Sequence, residues 1–150
     1  MGSFFEVRPA TSADVPAIAR VFRASFRAAL PHIPDLHTPE EDVRYFGDVV
    51  LPSNAVLVAE DRGGEILGLI AFTSDWVNHL YIAPQARRSG IGSQLIGRAK
   101  EGTSFLQLWT FQANTAARAF YRHHGFVEVE LTDGAGNEEK EPDVRLEWRS

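Results

Sequence analysis

A short apolar strand, a glycine-containing turn and an amphipathic helix follow one another between Leu80 and Lys100, where the sequence reads LYIAPQARRSGIGSQLIGRAK. The apolar run ends at Ile82, the turn carries Gly90 and Gly92, and the next apolar residues recur at helical spacing, at Leu95, Ile96 and Ala99. The beginning of a helix presents unpaired backbone N–H groups and a partial positive charge, and glycine lets an anion approach the backbone closely. This order therefore predicts a binding site for a phosphate or a pyrophosphate.

Two common phosphate-binding motifs do not fit this turn. A Walker loop would need Gly-Lys followed by Ser or Thr, and no such run follows the glycines. The dinucleotide-binding fingerprint would need a third glycine at the position of Leu95. The pattern that is present is Arg87-x-x-Gly90-x-Gly92, preceded by Leu80-Tyr81-Ile82-x-Pro84.

A second block of the sequence reads Asn114-x-x-Ala117-Arg118-x-Phe120-Tyr121-x-x-x-Gly125-Phe126. The first block resembles the acetyl-CoA pyrophosphate loop of the GNAT acetyltransferase superfamily. The second block is similar to that family's N-x-x-A-x-x-F-Y-x-x-x-G-F segment, and the order and separation of the two blocks are also typical of it. The resemblance implies an N-acetyltransferase that uses acetyl-CoA as its co-substrate.

Apolar periodicity and turn-forming residues give the element order β-α-α-β-β-β-α-β-α-β-β. Strands are predicted at residues 4–8, 55–59, 66–72, 76–82, 105–111, 126–131 and 144–148. Helices are predicted after the glycine-containing turn and at residues 11–30, 39–49 and 114–123. This order matches the GNAT fold, so the expected fold class is α/β (α+β), with a mixed, twisted sheet of about seven strands and helices on both faces. No linker or repeat interrupts it, so residues 1–150 are expected to form a single N-acetyltransferase domain.

The composition excludes several classes of function. The 150-residue chain has no cysteine, which excludes disulfides, thiolate metal sites and a cysteine nucleophile. A formal net charge of −5 argues against nucleic acid as a partner. No apolar run approaches the roughly 18 residues that span a bilayer, and residues 1–6 do not resemble a signal peptide, so we expect a cytoplasmic protein without a membrane partner. His32 and His37 lack the further ligands that would complete a metal site, so no metal is expected.

The resemblance assigns the acetyl-CoA site to the two blocks. The backbone N–H groups of residues 88–93 would hold the pyrophosphate, and Arg87 and Arg88 would add positive charge. Many family members have glycine where this chain has Arg88, so the Arg88 side chain is expected to point outward. The backbone of the preceding strand would bind the pantetheine arm and polarise the acetyl carbonyl, unless that strand pairs fully with its neighbour. The expected acetyl-CoA-binding residues are Leu80, Tyr81, Ile82, Arg87, Arg88, Ser89, Gly90, Ile91, Gly92, Ser93, Asn114 and Tyr121.

Tyr121 and His79 are the candidate catalytic residues. The family tyrosine at the position of Tyr121 lies near the CoA sulfur, where a phenol can protonate the departing thiolate; the alternative is a packing role beside its aromatic neighbour. Asn114 can cap the following helix and also contact the cofactor. The general base is left open: it is either His79, which titrates near neutrality, or a carboxylate acting through water, at Glu41 or Glu138.

The acceptor is expected to be a primary amine that attacks the thioester directly, and a small molecule is favoured over a protein N-terminus or a lysine. An acyl-CoA-binding sensor module without turnover is the alternative. The acidic loop at residues 133–143 would either attract a cationic amine or be an ordinary solvated loop. The candidate acceptor-binding residues are Glu138 in that loop, two histidines between the first two helices and two aromatic residues: His32, His37, Trp76 and Trp109. Homodimers are common in the family, but nothing in the sequence specifies an interface.

Overall fold

The computed structural model describes residues 4–150 and has the element order expected from the sequence. Residues 1–3, part of the N-terminal segment considered above, lie outside the described residues. The strands are β1 (Glu6–Pro9), β2 (Ala55–Glu60), β3 (Ile66–Phe72), β4 (Val77–Ile82), β5 (Phe105–Phe111), β6 (Val127–Leu131) and β7 (Asp143–Arg149). The helices are α1 (Val15–Ala29), α2 (Pro39–Tyr45), the short α3 (Leu51–Ser53), α4 (Ile91–Lys100) and α5 (Thr115–His123), and a π-helical turn at Phe46–Val50 joins α2 to α3.

The seven strands form two sheets. The first has the antiparallel order β1-β2-β3-β4, and the second has the order β5-β7-β6. The sheets meet at a parallel bridge between Trp76 and Gln107, where the Gln107 amide donates to the Asp75 carbonyl at 2.9 Å. The mixed arrangement of seven strands is therefore present as expected, but β4 and β5 separate beyond this bridge.

The first two helices begin at capping residues that the sequence indicates. The Thr38 hydroxyl accepts a hydrogen bond from the Glu41 amide at 3.1 Å, and the Glu41 carboxylate accepts one from the Thr38 amide at 2.8 Å, which is the reciprocal pattern of a capping box. A short 3₁₀ turn at Ser12–Asp14 precedes α1, and there the Asp14 carboxylate accepts from the Thr11 amide at 2.8 Å. Both helices therefore start with their first amides partly satisfied.

Asp14 also anchors the start of α1 to the edge of the first sheet. The guanidinium of Arg8 donates to both Asp14 oxygens, at 2.8 and 2.9 Å, and to Glu60 at 2.9 Å. The hydrogen bonds that Asp14 accepts, above all those from Arg8 and then the one from the Thr11 amide, lower the pKa of this mostly buried carboxyl to about 2. The helix start, β1 and β2 are thus held by one charged cluster.

Strand β3 is buried along nearly its whole length because helices cover both of its faces. A Cβ atom at Gly68 would lie 3.0 Å from Ile91 of α4, so one face of β3 packs on α4. The neighbouring residue Leu69 pairs with Tyr81 of β4, and the Tyr81 ring contacts Phe22 of α1 at a centroid distance of 5.0 Å. Since successive residues of a strand face opposite sides, α1 lies across the sheet from α4, as expected.

Strand β4 carries a β-bulge at Asn78. His79 pairs with Ala71 and Val77 pairs with Phe72, so β4 has one residue more than β3 at this point. A bulge bends its strand and increases the local twist. This bulge follows the bridge at Trp76 almost at once, so β4 turns away from β5 just where the two sheets part.

Candidate active site

The gap between β4 and β5 forms a cleft of about 640 Å³ that is closed below by α4 and α5 and bounded on one side by α1. The cleft is lined by every residue that the sequence assigns to acetyl-CoA binding and by both candidate catalytic residues: Leu80, Tyr81, Ile82, Arg87, Arg88, Ser89, Gly90, Ile91, Gly92, Ser93, Asn114, Tyr121 and His79. Residues of two distant sequence blocks therefore meet around one space.

The backbone of β4 offers unpaired groups to this cleft. The Ala83 amide donates to the Leu67 carbonyl of β3 at 2.8 Å, and hydrogen-bonded pairs alternate along an antiparallel ladder. By this alternation the backbone of Tyr81 pairs with β3, whereas the N–H and C=O groups of Leu80 and Ile82 face away from β3, toward the gap. Leu80 and Ile82 can therefore hydrogen-bond a ligand through their backbone, while Tyr81 contributes its side chain.

The turn before α4 has the conformation of an anion site. Gly90 caps the helix with a φ of 88°, in the left-handed region, and a Cβ atom there would meet no atom within 4 Å. The first amide bonded to the helix is that of Gln94, which donates to the Gly90 carbonyl at 3.1 Å. Within residues 4–150 the four amides of Gly90, Ile91, Gly92 and Ser93 have no hydrogen-bond acceptor. They are free to bind an anion at the positive end of α4.

Arg88 shows why the family pattern favours glycine at its position. Its φ is 63°, which is again the left-handed region, and an L-residue with a side chain is strained there by roughly 1–2 kcal/mol. Both Arg88 and Arg87 are exposed at the rim of the cleft. The turn therefore has the left-handed conformation although its residue is an arginine. The Arg88 guanidinium lies outside the group of free amides and can contact a ligand at the rim.

Gly92 is needed for packing, a role that the sequence did not indicate. A Cβ atom at this position would lie 3.1 Å from the Phe120 ring of α5. The missing side chain thus lets α5 approach the first turn of α4 closely. The two motif blocks are therefore in direct contact, through Gly92 of the first block and Phe120 of the second.

Tyr121 reaches the cleft from α5. Its side chain is 8% exposed and packs against Phe120 and Phe126, with ring centroids 5.3 and 5.6 Å away. Its hydroxyl makes no hydrogen bond to any of the described residues, yet no side-chain polar atom among them is both sealed from solvent and unpaired. The hydroxyl therefore opens into the cleft, and burial of the ring raises the pKa of Tyr121, so that it keeps its proton.

Asn114 caps α5, as the sequence predicts. Its side-chain oxygen accepts from the Ala117 amide at 3.1 Å. This bond uses one acceptor of the amide group and leaves its two N–H donors without a protein partner among the described residues. Asn114 can therefore also donate to a ligand in the cleft.

His79 lies between two tyrosines on the other wall. Its Nε2 is 2.9 Å from the Tyr45 hydroxyl, and its Nδ1 is 3.5 Å from the Tyr81 hydroxyl. Burial lowers the pKa of His79 to about 4, so the ring is neutral at neutral pH. Tyr45, which is 43% exposed, was not among the predicted site residues because it lies on α2, far from either motif block.

The two carboxylates considered as alternative bases are engaged elsewhere. Glu41 serves the capping box of α2, where its carboxylate accepts a hydrogen bond from the Thr38 backbone N–H, and this bond lowers the pKa of Glu41. Glu138 contacts His37, with Oε1 and Nε2 2.7 Å apart. Neither residue lines the cleft, whereas His79 does.

The predicted acceptor-binding residues lie in three different places: in the cleft, in a smaller pocket beside it, or outside both. Trp109, which is 41% exposed, lines the cleft, and His37 lines a smaller pocket beside it. His32 contacts Glu141 at 3.1 Å, as His37 contacts Glu138, so these histidines join the segment after α1 to the β6–β7 loop. Trp76 lines neither space and lies in the bridge between the sheets.

Comparison with known proteins identifies the family. The model of the acetyltransferase (GNAT) domain matches residues 52–128, slightly more than half of the chain. The chain belongs to the GNAT acetyltransferase family. The resemblance carried by the two motif blocks is thereby confirmed, and so is the enzyme class, an acetyltransferase.

Two similar proteins can be aligned with most of this chain. An uncharacterized N-acetyltransferase of Archaeoglobus fulgidus is 27% identical over 151 residues, which cover 89% of this chain and 99% of the relative. YhfO, an uncharacterized N-acetyltransferase of Bacillus subtilis, is 27% identical over 137 residues, covering 81% and 89%.

Solved structures confirm the GNAT fold. The apo form of YjaB from Escherichia coli has a TM-score of 0.77 at 19% identity and covers 97% of both chains. PaiA N-acetyltransferase from Thermoplasma acidophilum, solved in complex with coenzyme A, has a TM-score of 0.74 at 19% identity and covers 98% of this chain and 99% of its own.

Two properties of residues 4–150 bear on the partners expected from the sequence. These residues contain no group of three or more His, Asp or Glu side chains arranged to hold a metal ion. None of their helices combines the length and the apolar character that crossing a membrane requires.

Proposed function

We propose that this acetyltransferase moves the acetyl group of acetyl-CoA to the primary amine of a small molecule, by direct attack of the amine. The observation that carries the proposal is the meeting in one cleft of the free amides at the start of α4, the unpaired backbone of β4 and the free hydroxyl of Tyr121. The complex of PaiA with coenzyme A supports a related donor here.

The start of α4 suits the pyrophosphate of the donor. Four amides converge there without a partner among the described residues, and Gly90 leaves the space beside them open. A dianionic group at this point gains hydrogen bonds and the favourable end of the helix dipole. Arg87 and Arg88 at the rim add positive charge that can steer the anion toward the turn.

The backbone of β4 suits the remainder of the donor. When bound, acetyl-CoA supplies the thioester carbonyl that the amine attacks and the thiol that leaves. The N–H groups of Leu80 and Ile82 are fixed donors toward that region, and a preorganised donor of this kind contributes roughly 2.7–4 kcal/mol where negative charge develops on oxygen. Tyr121 keeps its proton and presents an unbonded hydroxyl, so we assign to it the protonation of the leaving sulfur.

The tyrosines around His79 offer a path for the proton that the amine must lose. The Tyr81 hydroxyl takes this proton and passes its own to Nδ1 of His79, while Nε2 of His79 passes one to the exposed Tyr45 hydroxyl and so to solvent. His79 is neutral at neutral pH and can therefore accept a proton. This arrangement supports His79 as the base and adds Tyr45 as the residue that passes the proton to solvent.

The acceptor end of the cleft favours a small molecule. The contacts of His32 with Glu141 and of His37 with Glu138 tie the segment after α1 to the β6–β7 loop. The pocket that these loops line beside the cleft has a volume of about 50 Å³, which suits part of a compact amine better than the surface of a folded protein.

A pair of glycine variants tests the donor site. Gly90→Val places a side chain where the anion would lie, and we expect it to weaken CoA binding by at least tenfold, about 1.4 kcal/mol, in calorimetry. Gly64→Val is the matched control, because Gly64 has a φ of 84°, a Cβ atom there would meet no atom within 4 Å, and the residue lies outside the cleft. Both variants carry similar backbone strain, but only the first should lose CoA affinity.

Two results would contradict the proposal separately. Unchanged CoA affinity in Gly90→Val would remove the turn from the donor site. Tight CoA binding without thiol release from acetyl-CoA, across a panel of small amines and of peptides with free N-termini and lysines, would contradict acetyl transfer to amines. Turnover of the peptides alone would replace the small-molecule acceptor by a protein.

A further inference from the structure

A small pocket opens beside the cleft, between α1, the segment that follows it and the β6–β7 loop. We call it the side pocket; it has a volume of about 50 Å³ and adjoins the cleft at Phe26, which lines both spaces. Its residues are Phe22, Arg23, Phe26, Ile33, Pro34, Asp35, Leu36, His37, Asp42 and Glu139. None of these belongs to the acetyl-CoA-binding set, so the side pocket is available to the acceptor.

Aromatic and aliphatic side chains form the walls of the side pocket. The rings of Phe22 and Phe26 are 5.8 Å apart, and Phe22 also contacts the Tyr81 ring at 5.0 Å. On the cleft side, Phe26 meets Phe111 edge-to-face at 6.1 Å. An apolar group that enters from the cleft would therefore leave water for contact with at least two aromatic rings.

The charges around the side pocket leave one carboxylate without a partner. Arg23 pairs with Asp42 at 2.7 Å and with Asp35 at 3.4 Å, and Arg27, which lies outside the pocket, also pairs with Asp35, so two guanidinium groups balance these two carboxylates. His37 contacts Glu138, which lies outside the pocket. Glu139 makes neither a hydrogen bond nor an ion pair with any residue of the described chain. The uncompensated charge of the side pocket is therefore negative.

The residues on either side of Glu139 hold it in this place. Glu138 is fixed by His37 and Glu141 by His32, and the Lys140 amine donates to the Ala135 carbonyl at 2.8 Å rather than to Glu139. Burial raises the pKa of Tyr81, and Tyr121, Tyr45 and Glu139 add to that rise. The Glu139 carboxylate thus acts on the end of the cleft where Tyr81 lies.

We infer that the acceptor is a small monoamine carried on an aryl or branched alkyl group, with the apolar group against the rings of Phe22 and Phe26 at the mouth of the side pocket and the ammonium held by Glu139. The inference rests on the proposed function and names the substrate class of the same site. A site of this kind disfavours amines that carry a carboxylate next to the nitrogen, because Glu139 would repel the carboxylate. It also disfavours small polar amines, because they have no apolar surface to bury against the aromatic rings.

Three acceptors and one variant test this inference. Phenethylamine has the ring and the cation, phenylalanine adds a carboxylate to the same framework, and ethanolamine keeps the amine without the ring. We expect kcat/KM to be highest for phenethylamine by at least tenfold. In Glu139→Gln the KM for phenethylamine should rise about tenfold, the value of one charge-assisted hydrogen bond, and its advantage over phenylalanine should shrink.

A control and a salt series separate this role from a general field effect. Glu40→Gln removes the same charge from an exposed residue of α2 outside the side pocket, and should leave all three KM values unchanged. The KM for phenethylamine should rise with ionic strength in the unsubstituted protein, since charges are screened beyond about 10 Å at 0.1 M salt. That dependence should weaken in Glu139→Gln.

The outcomes distinguish this inference from the proposed function. Thiol release with amines, but equal kcat/KM for phenethylamine and ethanolamine, would overturn the apolar part while acetyl transfer stands. An unchanged phenethylamine KM in Glu139→Gln would overturn the ionic part. Absence of thiol release with every amine tested would overturn the proposed function itself.

Discussion

Replacing Tyr121 by phenylalanine separates chemistry from packing at the centre of the cleft. The substitution removes one oxygen and keeps a ring that is 8% exposed and packed between Phe120 and Phe126. Because the hydroxyl has no protein partner among the described residues, its loss leaves no donor or acceptor unsatisfied. We therefore expect the free energy of unfolding of Tyr121→Phe to stay within about 0.5 kcal/mol of the unsubstituted protein.

The effect on catalysis should be much larger. General acid catalysis contributes typically 10²–10⁴-fold, so kcat for the best amine should fall by that factor, or roughly 3–5 kcal/mol of transition-state stabilisation. The dissociation constant of CoA should hardly change, since we propose that the pyrophosphate binds at the start of α4 and not at Tyr121. The raised pKa of Tyr121 means that it stays protonated through neutral pH, so the deficit should be the same across that range.

Single-turnover acetyl transfer, calorimetry with CoA and urea denaturation measure these three quantities. A kcat equal to that of the unsubstituted protein, under conditions in which chemistry limits the rate, would show that Tyr121 is a packing residue. A loss of stability of more than about 1 kcal/mol together with weaker CoA binding would also refute the reasoning, because it would mean that the hydroxyl supports the structure.

Two further predictions follow from pKa values. His79 must be neutral to accept a proton, and its pKa is about 4, so kcat/KM should fall on the acid side with a midpoint near pH 4; a midpoint near the ordinary histidine value of about 6.5, or an unchanged acid limb in His79→Gln, would contradict its role. The pKa of Asp14 is about 2 in the folded state against 3.8 ordinarily, so the unfolded state binds more protons as pH falls. The contribution of Asp14 to the free energy of unfolding should therefore be nearly full above about pH 4 and fall by about 2 kcal/mol as the pH approaches 2. Urea denaturation at several pH values measures this drop, and Asp14→Asn should lack it.

The order of the elements and the residues that line the cleft could be predicted because their determinants are local. Each strand and helix is encoded by its own apolar period and by its own caps, as Thr38 shows for α2. The turn around Gly90 lies in one continuous stretch, and Tyr121 belongs to a second one. A motif that is contiguous in sequence can be recognised without knowing which segments of the chain pack together.

The acceptor side could not be predicted to the same depth because its contacts are long-range. The bulge at Asn78 depends on the register between β3 and β4 and interrupts the strict alternation of β4. Tyr45 meets His79 across 34 residues of sequence. His32 and His37 are expected at the acceptor site, but their contacts with glutamates of the β6–β7 loop could not be predicted from the sequence. Each of these features appears only when separate segments pack together.

The parting of β4 and β5 gives the protein two strand edges that face each other inside the molecule. An exposed edge invites pairing with any other extended chain and is a common origin of aggregation. Here the bridge between Trp76 and Gln107 closes one end of the gap and the helices close its floor. A polypeptide that entered as an extra strand would have to place a side chain on each face of the sheet at every second residue. An extended arm that carries amide groups and no side chains can pair with the same backbone edges without needing room for side chains on either face.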